Sequence, residues 1–203
     1  KAIKAGSAKV VTDKIEEVTA QGIRLQSGAQ LDADIIVQAT GLKMAMLGNV
    51  PFWVDGTAVD FSQTYTYKGM MYSGVPNLLS TFGYINASWT LRADLNSEYV
   101  CRLLRYMDGA GVDQVTPCLS GKDQDMEARP WVDDFPAGYM QRAMHLFPKQ
   151  GQGPWSNSQD FAYDQKMLRN GPIDDGVLRF TCKAEHTDVR EDLASMSPRH
   201  SAG

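Results

Sequence analysis

The sequence predicts a mixed α/β chain: a β-meander, strands of a larger parallel sheet, one long amphipathic helix and an irregular C-terminal region. Three observations carry that expectation. Between residues 9 and 38, apolar and polar residues alternate and turn residues interrupt them at short intervals. Ile35-Ile36-Val37 is then an uninterrupted β-branched run, the pattern of a strand covered on both faces. Leu91, Leu95, Tyr99, Leu103 and Met107 recur every four residues, the spacing of a helix with one buried face.

The meander begins with short strands at Lys9-Val10-Val11 and Ile15–Thr19. Ala20-Gln21-Gly22 turns the chain, Ile23-Arg24-Leu25 alternates, Gln26-Ser27-Gly28 turns it again, and Ala29-Gln30-Leu31 completes the meander. Asp32-Ala33-Asp34 leads into the apolar run, which ends on the small residues Ala39-Thr40-Gly41. Such an ending serves an ordinary glycine turn, or lets a backbone or cofactor approach closely.

A hairpin follows at Phe52-Trp53-Val54 and Thr57-Ala58-Val59, joined by Asp55-Gly56, a pair suited to a type I′ turn. Residues 64–71 precede a turn at Gly74-Val75-Pro76-Asn77, and Leu78-Leu79-Ser80-Thr81-Phe82-Gly83 reads as a second buried strand. The helix starts after Asn86 or Ser88, either of which is a fitting N-cap, and is expected to end near Gly109. Residues 116–134 turn polar and acidic and read as a surface excursion. Residues 138–147 suit a short helix, 148–155 are rich in Gly and Pro, 160–169 have weak helical periodicity, and Leu178-Arg179-Phe180 suits a last strand. From Thr187 the tail is polar and is expected to fray.

The totals set bounds. With 203 residues, 43% of them hydrophobic, the chain can bury one sizeable core. A net charge of −4 without a Lys/Arg cluster argues against a nucleic-acid partner. Three widely spaced cysteines, with no Cys-x-x-Cys pair, suggest neither a disulfide framework nor a metal centre, and favour a cytoplasmic location. No apolar run approaches the ~18 residues of a membrane span, and the first residues do not read as a signal peptide. A chain entering structured sequence at Lys1 is read as a fragment of something longer.

Two strand-to-loop junctions share one design, at residues 36–41 and 79–83. Ligands of open α/β sheets bind at the carboxyl ends of strands. The helix start just after the second junction would present free N–H groups to an electron-rich partner there, or would simply be a capped helix touching protein.

These junctions carry a family resemblance. Asp34 followed by Ala39-Thr40-Gly41 resembles the Ala-Thr-Gly segment of two-dinucleotide-domain flavoproteins. Ser73-Gly74-Val75-Pro76-Asn77-Leu78 and Gly83-Tyr84-Ile85-Asn86-Ala87-Ser88-Trp89-Thr90-Leu91 resemble the C-terminal third of flavin-containing monooxygenases, most closely the Baeyer–Villiger branch. Lys68-Gly69-Met70-Met71, Phe135-Pro136-Ala137-Gly138-Tyr139, Pro148-Lys149-Gln150-Gly151 and Pro154-Trp155 are similar to that branch too, and the likeness covers roughly residues 1–183.

The resemblance implies an incomplete FAD/NAD(P)-binding flavoprotein fold. Residues 1–33 would end the NADPH domain, 34–112 would belong to the FAD domain, and 113–203 would form a C-terminal excursion and tail. It implies FAD and NADPH as cofactors, O2 and a small ketone as substrates, and oxygen insertion through a flavin hydroperoxide. Thr40 and Gly41 would lie close to FAD where the chain re-enters that domain, and Gly83, Asn86, Ala87, Ser88 and Trp89 near the isoalloxazine. Residues 68–71 would approach the same region. Gly-x-Gly-x-x-Gly, the Baeyer–Villiger fingerprint and the family's catalytic Arg have no counterpart in these residues, so no catalytic residue is assigned and the chain alone is expected to be inactive. Oxygenation of a soft N or S atom, and a cofactor-free interaction module, are the alternatives.

Other residues invite blander readings. His145, His186 and His200 are far apart and read as surface histidines, and Ser73 lacks the spacing of a nucleophile elbow. Trp53, Trp131 and Trp155 read as packing residues, and Asp133-Asp134 and Asp174-Asp175 as solvated turns. Met44, Met46, Met70 and Met71 suit an apolar pocket or plain core filling. A strand at residues 35–37 needs neighbours on both sides, so the chain is expected to expose apolar surface or self-associate.

Overall fold

Turn chemistry sets the first strands. In the computed structural model, which describes residues 1–182, β1 (Ile15–Thr19), β2 (Gly22–Leu25) and β3 (Gln30–Asp32) form an antiparallel sheet in that order. Gly22, at φ 149°, is required where the strands cross closely, because a Cβ there would stand 2.0 Å from the Leu31 carbonyl oxygen. The meander is therefore as expected, except that Lys9-Val10-Val11 makes no strand. This sheet lies in one compact unit, Lys1–Leu42, and a second unit begins at Lys43.

The expected parallel strand at residues 35–37 does not form. Ile35 is 82% exposed and Val37 83%. A strand has to pair its backbone donors and acceptors in a ladder, and no described strand runs beside this one, so the run stays extended in water.

In the second unit, β4 (Trp53–Val54) and β5 (Thr57–Ala58) form the expected hairpin, with Asp55 and Gly56 both at positive φ as a type I′ turn demands. A second hairpin, β6 (Thr66–Tyr67) and β7 (Met71–Tyr72), turns through Lys68 and Gly69, again both left-handed. Residues 78–83, half-buried except for exposed Thr81 and buried Gly83, pair with no strand, which corrects the second expectation of a sheet strand. Single bonds hold them instead: the Ser80 amide donates to the Met70 carbonyl at 2.9 Å, and Asn96 Nδ2 donates to Thr81 Oγ1 at 3.0 Å. Every pairing between described strands is antiparallel, so the parallel-sheet part of the expected fold is absent among the described residues.

The long helix α1 (Trp89–Ala110) is the scaffold of this unit. Ser88 caps it, its hydroxyl accepting from the Thr90 amide, and Gly111 ends it in the left-handed conformation two residues beyond the expected Gly109. Leu95, Tyr99, Leu103 and Met107 face the main core with Tyr67, Met70, Met71, Trp155 and Leu168. The antiparallel pair β8 (Gln114–Pro117) and β9 (Leu178–Thr181) closes one side of that core. Helix α2 (Gly138–Ala143) belongs to a smaller cluster, and α3 (Phe161–Asn170), capped by Asp160, packs on α1. Arg102 of α1 donates to the Leu168 and Gly171 carbonyls at 2.5 Å each, a cation set on the free carbonyls that end α3.

The excursion at residues 116–134 is only partly a surface loop. Trp131 and Val132, each 2% exposed, anchor the smaller cluster with Met140, Ala143 and Phe147. Two aromatic or β-branched residues can bury a locally acidic segment, because burial is decided by the partners they reach rather than by their charged neighbours. The expected frayed tail from Thr187, with His186 and His200, lies outside the described residues.

Candidate functional site

The start of α1 is built from exposed polar residues beside an aromatic wall. Asn86, Ala87 and Ser88 are exposed, and Trp89 is 55% exposed. The Leu91 amide donates to the Ser88 carbonyl at 3.2 Å and the Thr90 amide to Ser88 Oγ, whereas the Trp89 amide meets no acceptor among the described residues. A helix start with an open donor suits an electron-rich ring edge or an anion.

Gly83 is buried directly beneath Trp89: a Cβ there would lie 2.2 to 2.5 Å from three atoms of the indole. The close approach read from this glycine is thus made by Trp89, another residue of the same candidate group. Phe82 extends the wall, its ring 5.1 Å from Trp89, 6.0 Å from Trp131 and 6.1 Å from Phe147. Phe82, Trp131 and Phe147 also line an apolar cleft of about 200 Å³ that Met44, Met46 and Tyr72 complete. The indole N–H of Trp131 is buried there without an acceptor among the described residues.

Beneath the helix start lies a buried charge network that sequence reasoning missed. Arg92 and Asp164 are 1% and 0% exposed and form an ion pair, Tyr84 Oη donates to Asp164 Oδ2 at 2.8 Å, and Arg92 also donates to the Lys68 carbonyl. Burial pushes the Asp164 carboxyl above its usual range, against the pull of Arg92 and Tyr84. Burial likewise pushes the Tyr84 hydroxyl up to about 12. Asn157 and Arg92 crowd Gly69, where a Cβ would stand 2.5 Å from the guanidinium. Arg92 and Asn96 fall among the apolar positions of α1, and polar residues on that face were the available signal.

Residues 68–71 sit in the core rather than in an open site. Lys68, 4% exposed, places Nζ 3.0 Å from Asp175 Oδ2 and over the rings of Tyr67 and Tyr99. Burial pulls its ammonium below the usual lysine range, while Asp175 acts the other way. Tyr67 Oη donates to the same carboxylate at 2.7 Å, and burial raises both tyrosines, Tyr99 to about 12. Asp175 is therefore no solvated turn, although Asp133 and Asp134 are exposed as expected. Trp131 and Trp155 pack in cores as expected, but Trp53 is 61% exposed, because its two-residue strand offers that face nothing to pack on. His145 is exposed, and Ser73 Oγ accepts from the Tyr65 amide.

Thr40 and Gly41 belong to the first unit and are exposed. Gly41 has φ 87° with open space where a Cβ would be, so its glycine answers a backbone need. Gly83, Asn86, Ala87, Ser88 and Trp89 belong to the second. No cluster of three metal-ligating side chains occurs among the described residues, and none of their helices is long and apolar enough to cross a membrane.

Comparison with curated proteins bears out the family resemblance. The chain is 50% identical over 181 residues to the FAD-containing monooxygenase EthA of Mycobacterium tuberculosis (strain H37Rv), covering 89% of this chain and 36% of the relative. EthA of Mycolicibacterium smegmatis is also 50% identical, over 182 residues, with the same coverage. A protein of Acinetobacter baylyi named "Probable FAD-binding monooxygenase AlmA" is 44% identical over 186 residues, 91% of this chain and 37% of the relative. The chain thus spans little more than a third of the length of these relatives. No protein-family model matches it, and no solved structure does.

Proposed function

We propose that this chain is the C-terminal part of an FAD-dependent, NADPH-using monooxygenase that inserts one oxygen atom of O2 into a ketone. One observation carries the reading: 50% identity over 89% of the chain with proteins named FAD-containing monooxygenases. In this reading residues 1–33 end the NADPH domain, 34–112 belong to the FAD domain and 113–203 form the C-terminal excursion.

The residues fit a flavin at the helix start on two counts, a Trp89 amide with no acceptor among the described residues and an exposed approach past Asn86, Ala87 and Ser88, polar at Asn86 and Ser88. These groups would hold the ring edge, with Gly83 giving Trp89 its place; Thr40 and Gly41, in the first unit, are assigned to FAD by the family resemblance alone. Bound FAD would supply the redox chemistry, taking electrons from NADPH and passing them to O2. The chain's own part is positional. The α1 dipole favours negative charge at its start. The wall of Phe82, Trp131 and Phe147 keeps water from the reacting centre and orients an apolar substrate.

The test is the full-length protein that contains this chain. It is expected to purify with flavin absorbance, to consume NADPH and O2 when a ketone is added, and to place one atom of isotopically labelled O2 in an ester product. Turnover of amines or sulfides but not ketones would redirect the reading to heteroatom oxygenation, and absence of flavin would end it. The chain alone is expected to bind FAD weakly and to show no turnover.

A further inference from the structure

We propose that a second cleft, formed by Arg129, His145 and Lys149 against Pro130, Met144 and Pro148, binds a small organic anion with an apolar body. The cleft holds about 430 Å³, within the usual range for small-molecule sites. This cleft shares Trp131 and Phe147 with the apolar cleft of the flavin reading, but its basic side chains take no part in that reading.

Backbone bonds fix both basic positions. The Lys149 amide donates to the Thr64 carbonyl at 2.8 Å, and its carbonyl accepts from the Thr66 amide at 2.9 Å. Arg129 and Gln150 exchange both of their backbone bonds, at 2.8 and 2.9 Å. The two side chains therefore leave neighbouring, anchored stretches rather than a free loop.

The charges are unevenly answered. Arg129 gives Nη1 to Asp133 at 2.7 Å and Nη2 to the Gly151 carbonyl at 3.1 Å. Lys149 has only the neutral Gln63 Oε1, at 3.5 Å, and no carboxylate among the described residues. The His145 side chain has no hydrogen bond or ion pair among them either. Lys149 thus leaves a positive charge at the cleft unanswered by a carboxylate among the described residues, in a chain whose net charge is −4. The other walls are apolar: Ala128, Pro130, Met144 and Pro148 line the cleft with what little of the buried Trp131 and Phe147 reaches it. A cation beside apolar walls selects a carboxylate or phosphate monoester carried on a hydrophobic group.

Titration calorimetry of the full chain with 1-naphthyl phosphate, 1-naphthylacetate and the uncharged 1-naphthylmethanol tests this. Both anions are expected to bind saturably and more tightly than the alcohol, and the tighter of the two identifies the headgroup. Lys149→Gln is expected to weaken anion binding by about tenfold, while Lys166→Gln, the same charge change at an exposed position on α3, leaves it unaltered. Thermal melts check that the variants fold, and Arg129→Gln decides the matter should Lys149→Gln not. Equal binding of the alcohol, equal effects of Lys149→Gln and Lys166→Gln, or no saturable anion binding would each overturn the proposal.

Discussion

At the scale of single residues, Gly83 and Trp89 form a matched pair. A Cβ at residue 83 would sit 2.2 Å from the indole, closer than such atoms approach, so one group has to move. Because Trp89 is 55% exposed, its ring can swing outward, and Gly83→Ala is expected to cost about 1 kcal/mol, the low end for overpacking. In the Trp89→Ala background the same change should cost almost nothing, and urea denaturation of the four proteins of the cycle would show it. Strict additivity would mean that the close approach is not what keeps residue 83 a glycine. Asp123 gives a prediction in pH. Its carboxylate accepts from the Ser120 amide at 2.7 Å, from Ser120 Oγ at 2.8 Å and from Trp155 Nε1 at 3.2 Å, and these bonds, the Ser120 amide first, lower its pKa. A carboxylate whose folded pKa is depressed stabilises the fold fully above its unfolded pKa, about 3.9, and loses that contribution as pH falls through the folded value. The stability gap between the native chain and Asp123→Asn should therefore be flat above about pH 5 and close under more acid conditions. A gap that stays constant into strong acid would contradict the assignment.

At the scale of elements, α1 is tied to α3 by an ion pair whose cost and value differ. Asp164→Ala strands the Arg92 guanidinium in the core and is expected to destabilise by about 3–5 kcal/mol. The double change Arg92→Met with Asp164→Leu removes both charges and should recover most of that loss, since two apolar side chains need no partner. Urea midpoints compare them, and a double variant as unstable as the single would show that packing, not charge, was lost. The same helix shows what was legible beforehand. Its face came from a four-residue recurrence, its start from Asn86 or Ser88, of which Ser88 is the cap, and its end from a nearby glycine, all local signals. So did the first three strands and the Asp55-Gly56 turn. The Arg92–Asp164 and Lys68–Asp175 pairs join residues 72 and 107 positions apart, and nothing local announces such partners. Residues 35–37 and 78–83 failed as strands for the converse reason. Their composition states that they suit burial, but a ladder exists only where another strand lies alongside. The candidate site divides the same way: Ser88 and the helix start were readable, whereas the aromatic wall recruits Trp131 from a segment read as surface.

At the scale of the whole molecule, the exposed run at residues 35–37 has a physical consequence for association. Ile35 and Val37 present β-branched side chains to water, and the backbone between them has no ladder partner among the described residues. Such a segment pairs readily with another extended chain, because pairing both satisfies the backbone and removes apolar area from solvent. The purified chain is therefore expected to show a weight-average mass in sedimentation that rises with concentration. Ile35→Lys with Val37→Lys should hold it at the monomer mass, since lysines on an edge repel a second copy and cost little where nothing is packed. Fold stability should change by less than about 0.5 kcal/mol, as for other surface substitutions. A native chain that remains monomeric at every concentration would refute the link between this run and self-association. Association that survives the double change would move the contact elsewhere, with the exposed Trp53 as the next surface to alter.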